Sequence, residues 1–271
     1  MNADHYFSIG HGHIICEDYA ISQVIDNGAF AILCDGCSDS PDVDFGARAL
    51  ALSAKRTLMI GGSDMNYDLF GKITIRNLEH IGDTIPLDPH SLDATLLATW
   101  VKGKEFTTYM YGDGVFFHKT PTTLRIVYVD FEDNTPAYLS YYLDKIRFTD
   151  YGSTVLGSKH TLDKSYYIGG ETKPNSKDVI ETENFIKPFD PVTIRGLVSE
   201  GDIIGVISDG IKSFSQADGM EIPWEDIVLD FVGFRTTPGV FVQRRLSFLK
   251  RQWIKNNISF SDDISMAAIV V

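Results

Sequence analysis

Short apolar and β-branched runs, each closed by turn residues, recur along the 271-residue chain. They predict strands over 29–35 (AFAILCD), 94–101 (ATLLATWV), 106–112 (FTTYMYG), 123–131, 137–143, 203–208 (IIGVIS) and 264–271 (ISMAAIVV). Two shorter pieces, YFSIG and AISQVI, read as a first and a second strand ahead of these. After residue 35 the apolar spacing becomes helical. Val43, Ala47, Leu50, Ala54 and Leu58 share one face, with Ser40 as N-cap and Pro41 at the first helical position, and the helix closes at Gly61-Gly62. A second helix is predicted over about 66–81, with Phe70, Ile73 and Ile81 inward. Val242, Leu246, Leu249 and Trp253 mark another near the C-terminus, and a short one fits around 223–233. Residues 144–200 carry little periodicity and read as loops and short strands. Strand runs and helix pairs without regular alternation indicate an α+β architecture.

Charge and composition narrow the partners. Against 37 Asp+Glu stand 24 Lys+Arg, a net charge of −13. Nucleic acid and anionic membrane surfaces are therefore disfavoured, since both need a basic face. With 44% hydrophobic and 12% aromatic residues the chain has the composition of a packed globular protein. No apolar run approaches the roughly 20 residues that span a bilayer. The start MNADHYFSIG has neither the basic residues nor the apolar stretch of a secretion signal, so a cytoplasmic location is expected. Three cysteines, Cys16, Cys34 and Cys37, make an odd count that argues for reduced thiols. Without repeats or linkers, one domain over 1–271 is expected, as a monomer with no separate regulatory part.

The chemistry lies at strand ends. AILCDG closes with Asp35-Gly36, MYGDG with Asp113-Gly114 and GVISDG with Asp209-Gly210. An Asp in that place is held by a rigid element yet points away from it, and the Gly permits a tight turn. Asp262 and Asp263 precede the last strand, and Glu17 and Asp18 lie between the first two. If these ends share one edge, five or six carboxylates converge, and their repulsion calls for hard divalent cations such as magnesium or manganese. Two such ions activate water and hold a phosphoryl group for in-line attack.

The order and spacing of CEDYA (16–20), AILCDG (31–36), DATLLATW (93–100), YMYGDG (109–114), GDIIGVISDG (201–210) and SDDISMAAIVV (261–271) resemble the metal-dependent serine/threonine protein phosphatases of the type-2C, or PPM, family. The resemblance runs from about residue 8 to the last residue. It implies a four-layer αββα sandwich, two antiparallel sheets between helix pairs, and a phosphoserine or phosphothreonine protein as substrate. By resemblance, Asp35 bridges two manganese or magnesium ions and the Gly36 carbonyl completes one of them. Asp209 and Asp262 are the other ligands of the second ion. Asp18 orients metal-bound water, with Glu17 beside it, and Asp113 holds a weaker third ion with Asp209. A metal-bridging hydroxide then attacks phosphorus directly, without a phosphoenzyme.

This chain departs from the family pattern around the substrate. His13 stands where the family commonly places the arginine that grips phosphate, and imidazole has no bidentate fork. Cys37-Ser38-Asp39-Ser40 follows Asp35-Gly36 in place of Gly-Gly-His, which leaves His11 and His13 as candidate general acids. Ser213 stands where a further carboxylate often follows the Ser-Asp-Gly. These departures keep open a non-catalytic alternative, a phosphoprotein-binding module on the same fold. A third reading takes His11, His13, Cys34 and Cys37 as a zinc tetrad, and a milder one makes the cysteines a point of oxidation.

Overall fold

The computed structural model describes residues 1–61, 65–85, 87–131, 134–154, 160–168, 176–185 and 190–271, with side chains undescribed at 82–83 and 160–185. The N-terminal segments form β1 (Asn2–Ser8), β2 (Asp18–Ile25) and β3 (Gly28–Asp35). Helices α1 (Val43–Gly61) and α2 (Tyr67–Thr84) follow, then β4 (Leu96–Lys102), β5 (Glu105–Tyr111), β6 (Gly114–Lys119) and β7 (Thr123–Phe131). After α3 (Lys145–Thr154) come β8 (His160–Ile168), β9 (Ser176–Phe185), β10 (Val192–Leu197) and β11 (Ile203–Ile207). The chain ends with β12 (Phe214–Ser215), α4 (Trp224–Phe231), α5 (Phe241–Lys255), β13 (Ser259–Phe260) and β14 (Ile264–Val270).

Two antiparallel sheets dominate, in the orders β1-β14-β11-β6-β7-β8-β9 and β10-β5-β4-β3-β2. Period-two alternation sorts each strand's side chains to two faces. On β3, Ala29, Ala31 and Leu33 turn to the core between the sheets, while Phe30, Ile32 and Cys34 turn to the core under α1 and α2. On the larger sheet, Phe116, Val127, Val206 and Ala267 face the intersheet core, and Phe117, Ile126, Ile207 and Met266 face α4 and α5. Three cores between four layers follow, so the expected αββα sandwich is present.

The helical faces read from spacing are the buried ones. Val43, Ala47, Leu50, Ala54 and Leu58 of α1 are at most 5% exposed, and Val242, Leu246, Leu249 and Trp253 of α5 at most 4%. In α2, Phe70 is fully buried with Leu78, whereas Ile73 and Ile81 are half-buried flankers. Asn66 caps α2 through its side chain, which accepts from the Leu69 N–H at 2.8 Å.

The structure departs from the expectations in four places. Ser40 and Pro41 do not open α1. The helix starts at Val43, because Asp42 adopts a left-handed φ of 48° and its carbonyl takes the first helical bond, from Gly46 N–H at 3.2 Å. Residues 139–143 form a 3-10 turn, not a strand over 137–143. Gly114–Lys119 is a strand outside the expected set; the positive φ of Gly112 (89°) and Gly114 (125°) lets the chain turn between sheets within three residues. Within 144–200, α3 and the long pair β8–β9 replace the expected loops and short strands, and Gly62 and residues 155–159, 169–175 and 186–189 lie outside the described residues.

Candidate metal centre at the strand ends

Register and turns gather the acidic residues at one edge of the sandwich. Asp18, which begins β2, is paired directly with Asp35, which ends β3. The Asp35 N–H donates to Thr95 Oγ1 at 3.1 Å and its carbonyl accepts from the Thr95 N–H at 2.8 Å, so β3 is pinned at its last residue. Gly36 continues into a crowded place, where a Cβ would lie 2.3 Å from Val43 Cγ2. Asp209 follows β11 and opens the 3-10 turn Asp209–Ser213. Its neighbour Gly210 lets the start of β14 pass, since a Cβ there would lie 1.8 Å from the Asp263 carbonyl oxygen. Asp113 sits in the sheet-to-sheet turn, only 4% exposed.

Each of these carboxylates has its pKa raised by burial and by the charge of its acidic neighbours. Burial raises the Asp35 acid well above its ordinary value, reinforced by Asp18, Asp209 and Asp262. Asp18 and Asp209 are each pushed up to about 7, first by burial and then by neighbouring Asp residues. Asp113 is raised well up by burial and by Asp209, and Asp262 is raised by burial too. The Asp209 side chain adds to the rise of Asp35, so ionising both acids together is disfavoured. Asp18 Oδ2 accepts from Ser208 Oγ at 2.9 Å, whereas its buried Oδ1 has no partner. Such a set of oxygen donors fits a hard divalent cation, and the unpartnered Asp18 oxygen points to the same need. Among the described residues no three His, Cys, Asp or Glu side chains already stand in a ligating arrangement. The fit therefore rests on donor chemistry and charge.

The adjacent acids differ in use. Asp262 has a side chain 40% exposed and stays open to the cluster, while Asp263, 1% exposed, is structural. Asp263 Oδ1 accepts from Gly10 N–H at 2.7 Å and Oδ2 from Glu17 N–H at 2.5 Å, tying the loop after β1 to the start of β14. Glu17 turns from the cluster to accept from Ser38 Oγ at 2.6 Å. His13 lies 3.2 Å from Asp263 Oδ1 and 3.7 Å from Asp262 Oδ1. Burial lowers its pKa, but Asp263, Glu17 and Asp262 outweigh that and raise it.

The zinc tetrad is not brought together: Cys34 is fully buried in the core under α1, His11 is exposed, and all three cysteines are free. Burial raises the Cys16 and Cys34 thiols far above their ordinary range, which makes both poor targets for oxidation.

Sequence reasoning missed three groups. Lys212 lies one turn beyond Asp209, its Nζ 3.8 Å from Asp209 Oδ2 and 2.7 Å from Oδ1 of Asp130 on β7. The spacing Asp209-x-x-Lys212 was a usable signal; Asp130, 82 residues away, gave none. Buried Asp93 accepts from Ser140 Oγ at 2.6 Å and from Arg147 Nη2 at 2.5 Å, while its carbonyl takes the Cys37 N–H at 2.9 Å. Through Asp93 the 139–154 segment is docked beside Asp35.

No family model matches the chain, and no curated protein matches it. Solved structures do. One described as a bacterial serine phosphatase aligns over 100% of this chain and 98% of its own, with TM-score 0.55 and 11% identity. The catalytic domain of the serine/threonine phosphatase PstP, solved with two manganese ions, aligns over 100% and 98%, with TM-score 0.52 and 13% identity. PppA, a regulatory component of the T6SS in Pseudomonas aeruginosa, aligns over 100% and 97%, with TM-score 0.51 and 12% identity. Across almost its whole length, this chain has the fold of the PP2C-type serine/threonine phosphatases.

Proposed function

We propose that this protein is a metal-dependent phosphoprotein phosphatase that hydrolyses phosphoserine and phosphothreonine. The observation that carries the reading is the convergence of Asp18, Asp35, Asp113, Asp209 and Asp262 at one sandwich edge, each with its pKa raised. A fold whose solved examples include serine phosphatases supports it. Asp35, the Gly36 carbonyl, Asp209 and Asp262 would hold two manganese or magnesium ions, which supply water activation and charge neutralisation for phosphoryl transfer. Asp18, braced by Ser208, is positioned to accept a hydrogen bond from attacking water through its unpartnered Oδ1. His13, half-buried against two carboxylates with its pKa raised, is suited to carry a proton to the leaving oxygen. Among the described residues no helix is long and apolar enough to cross a membrane, and we place the activity in the cytoplasm, on a protein substrate.

The second reading, a phosphoprotein-binding module, draws on His13 itself, whose ring lies against Asp262 and Asp263 at the position where the resemblance implies a phosphate-gripping arginine. Hydrolysis of p-nitrophenyl phosphate and a phosphothreonine peptide, with manganese, magnesium or chelator, separates the two. Manganese-dependent turnover that Asp35→Asn and Asp209→Asn abolish is the expected result. A folded, metal-loaded protein without turnover supports the binding module.

A further inference from the structure

The acidic cluster has two halves, and one already contains a cation. Lys212 lies in the 3-10 turn that Asp209 opens, so its side chain returns over the same edge. Three contacts fix it. Nζ lies 2.7 Å from Asp130 Oδ1, 3.8 Å from Asp209 Oδ2 and 5.1 Å from the centre of the Tyr128 ring. Tyr128 and Asp130 are two apart on β7 and so share a face. The β6–β7 ladder pairs Gly114 with Val129, which sets this part of β7 beside Asp113. Asp113 feels the charge: burial raises its pKa, and Lys212 is the main cation opposing that rise.

Ser213 completes the picture. Its hydroxyl donates to the Gly210 carbonyl at 2.7 Å and accepts from the Asp262 N–H at 3.2 Å, so it is engaged in shaping the turn. Position 213 thus adds no carboxylate to this half, and position 212 adds a positive charge.

We infer that the Lys212 ammonium is the built-in cation of the outer half of the cluster, serving Asp113, Asp130 and Asp209, so that metal ions bind only at the inner half. A divalent ion placed between Asp113 and Asp209 would meet the ammonium a few ångströms away, well inside one screening length, and be repelled by it directly. The lysine is tethered and always present, whereas a third ion would have to be drawn from solution. The chain therefore takes two ions where the resemblance implies three. This inference rests on the metal-binding reading of the site.

The test is a count of bound manganese, by equilibrium dialysis of the full chain at saturating metal. Wild type is expected to bind two ions, Lys212→Met three and Lys212→Arg two. Met keeps an apolar stem over Tyr128 without the charge, while Arg keeps the charge. Asp113→Asn in the wild-type background is expected to leave the count at two, and this variant decides the matter should Lys212→Met not fold. Three ions in wild type, an unchanged count of two in Lys212→Met, or a loss of one ion in Asp113→Asn would overturn the inference. No manganese bound to folded wild type would instead strike the metal-binding reading itself.

Discussion

Like charges gather twice in this molecule, and the two gatherings are built differently. At the strand ends, carboxylates face carboxylates, raise one another's pKa values and leave the buried Asp18 Oδ1 without a partner. Beside α5, Arg235, Arg244, Arg245 and Arg251 line a cavity of about 340 Å³ together with phenylalanine rings. There the guanidinium groups are mostly engaged. Arg244 Nη2 donates to Thr236 O, Thr236 Oγ1 and Pro238 O at 3.0–3.2 Å, Arg245 Nε donates to Asp230 O at 2.7 Å, and Arg235 lies 5.6 Å over the Phe248 ring. Backbone carbonyls and rings satisfy the arginines, whereas the aspartates have mainly each other. An unsatisfied charge cluster costs stability and persists where a ligand resolves it, which is why the proposed function is placed at the acidic edge, while the arginine cavity reads as a brace for the 232–240 loop.

The contrast is broken most forcefully by substitution. Asp35→Asn is expected to lower manganese-dependent phosphatase turnover by about a hundredfold or more. In chelator the same variant should resist urea at least as well as wild type, because an amide cannot ionise among the buried carboxylates. Loss of activity together with loss of fold would instead make Asp35 a structural residue like the arginines.

Metal addition comes next in size. Manganese at about a hundred times its dissociation constant should stabilise the wild-type fold by about 2.7 kcal/mol, read as a rise in Tm, and Asp209→Asn should show less. A Tm indifferent to manganese and chelator would remove the reason for the acidic edge.

The pH dependence sharpens the comparison further. Asp18 and Asp209 are pushed from 3.8 up to about 7, so in chelator the folded chain holds protons that the unfolded chain releases across that window. Their contribution to stability is full below pH 4 and is lost as pH rises toward 7. Urea titrations should show Asp209→Asn with a shallower fall and Arg244→Ala with the wild-type slope, since guanidinium does not titrate there. A wild-type curve rising over this interval contradicts the charge cluster.

The smallest effects belong to the arginine cavity. Arg244→Ala should cost about 1 kcal/mol through lost loop hydrogen bonds, and Arg251→Ala less than about 0.5 kcal/mol, with turnover unchanged in both. Urea midpoints and phosphate release measure these. A large loss of turnover in either variant would mean that the cavity serves the reaction.

The helices α1 and α5 and most strands of the two sheets were legible because each repeats its apolar residues at its own period, and burial rewards that period locally. The Asp-Gly strand ends were legible for the same reason, since an Asp that follows an apolar strand and precedes a glycine marks where the backbone leaves a sheet. The pair β8–β9 was not, for its residues show little alternation and its place is set by pairing to β7. The strand Gly114–Lys119 was hidden behind a turn that only two positive-φ glycines allow.

What the sequence determined by itself is the acidic inventory, the layer-forming faces and their order along the chain, all short-range properties of residue type and spacing. Tertiary structure alone decided how the acids were divided. It turned Asp263 inward to hold Gly10 and Glu17 while Asp262 stayed at the cluster, and it brought Lys212 to Asp130 from 82 residues away. Those outcomes depend on which strands become neighbours, and a carboxylate's role is set by whether its neighbour is an amide, an ammonium or another carboxylate, which residue type and local spacing do not encode.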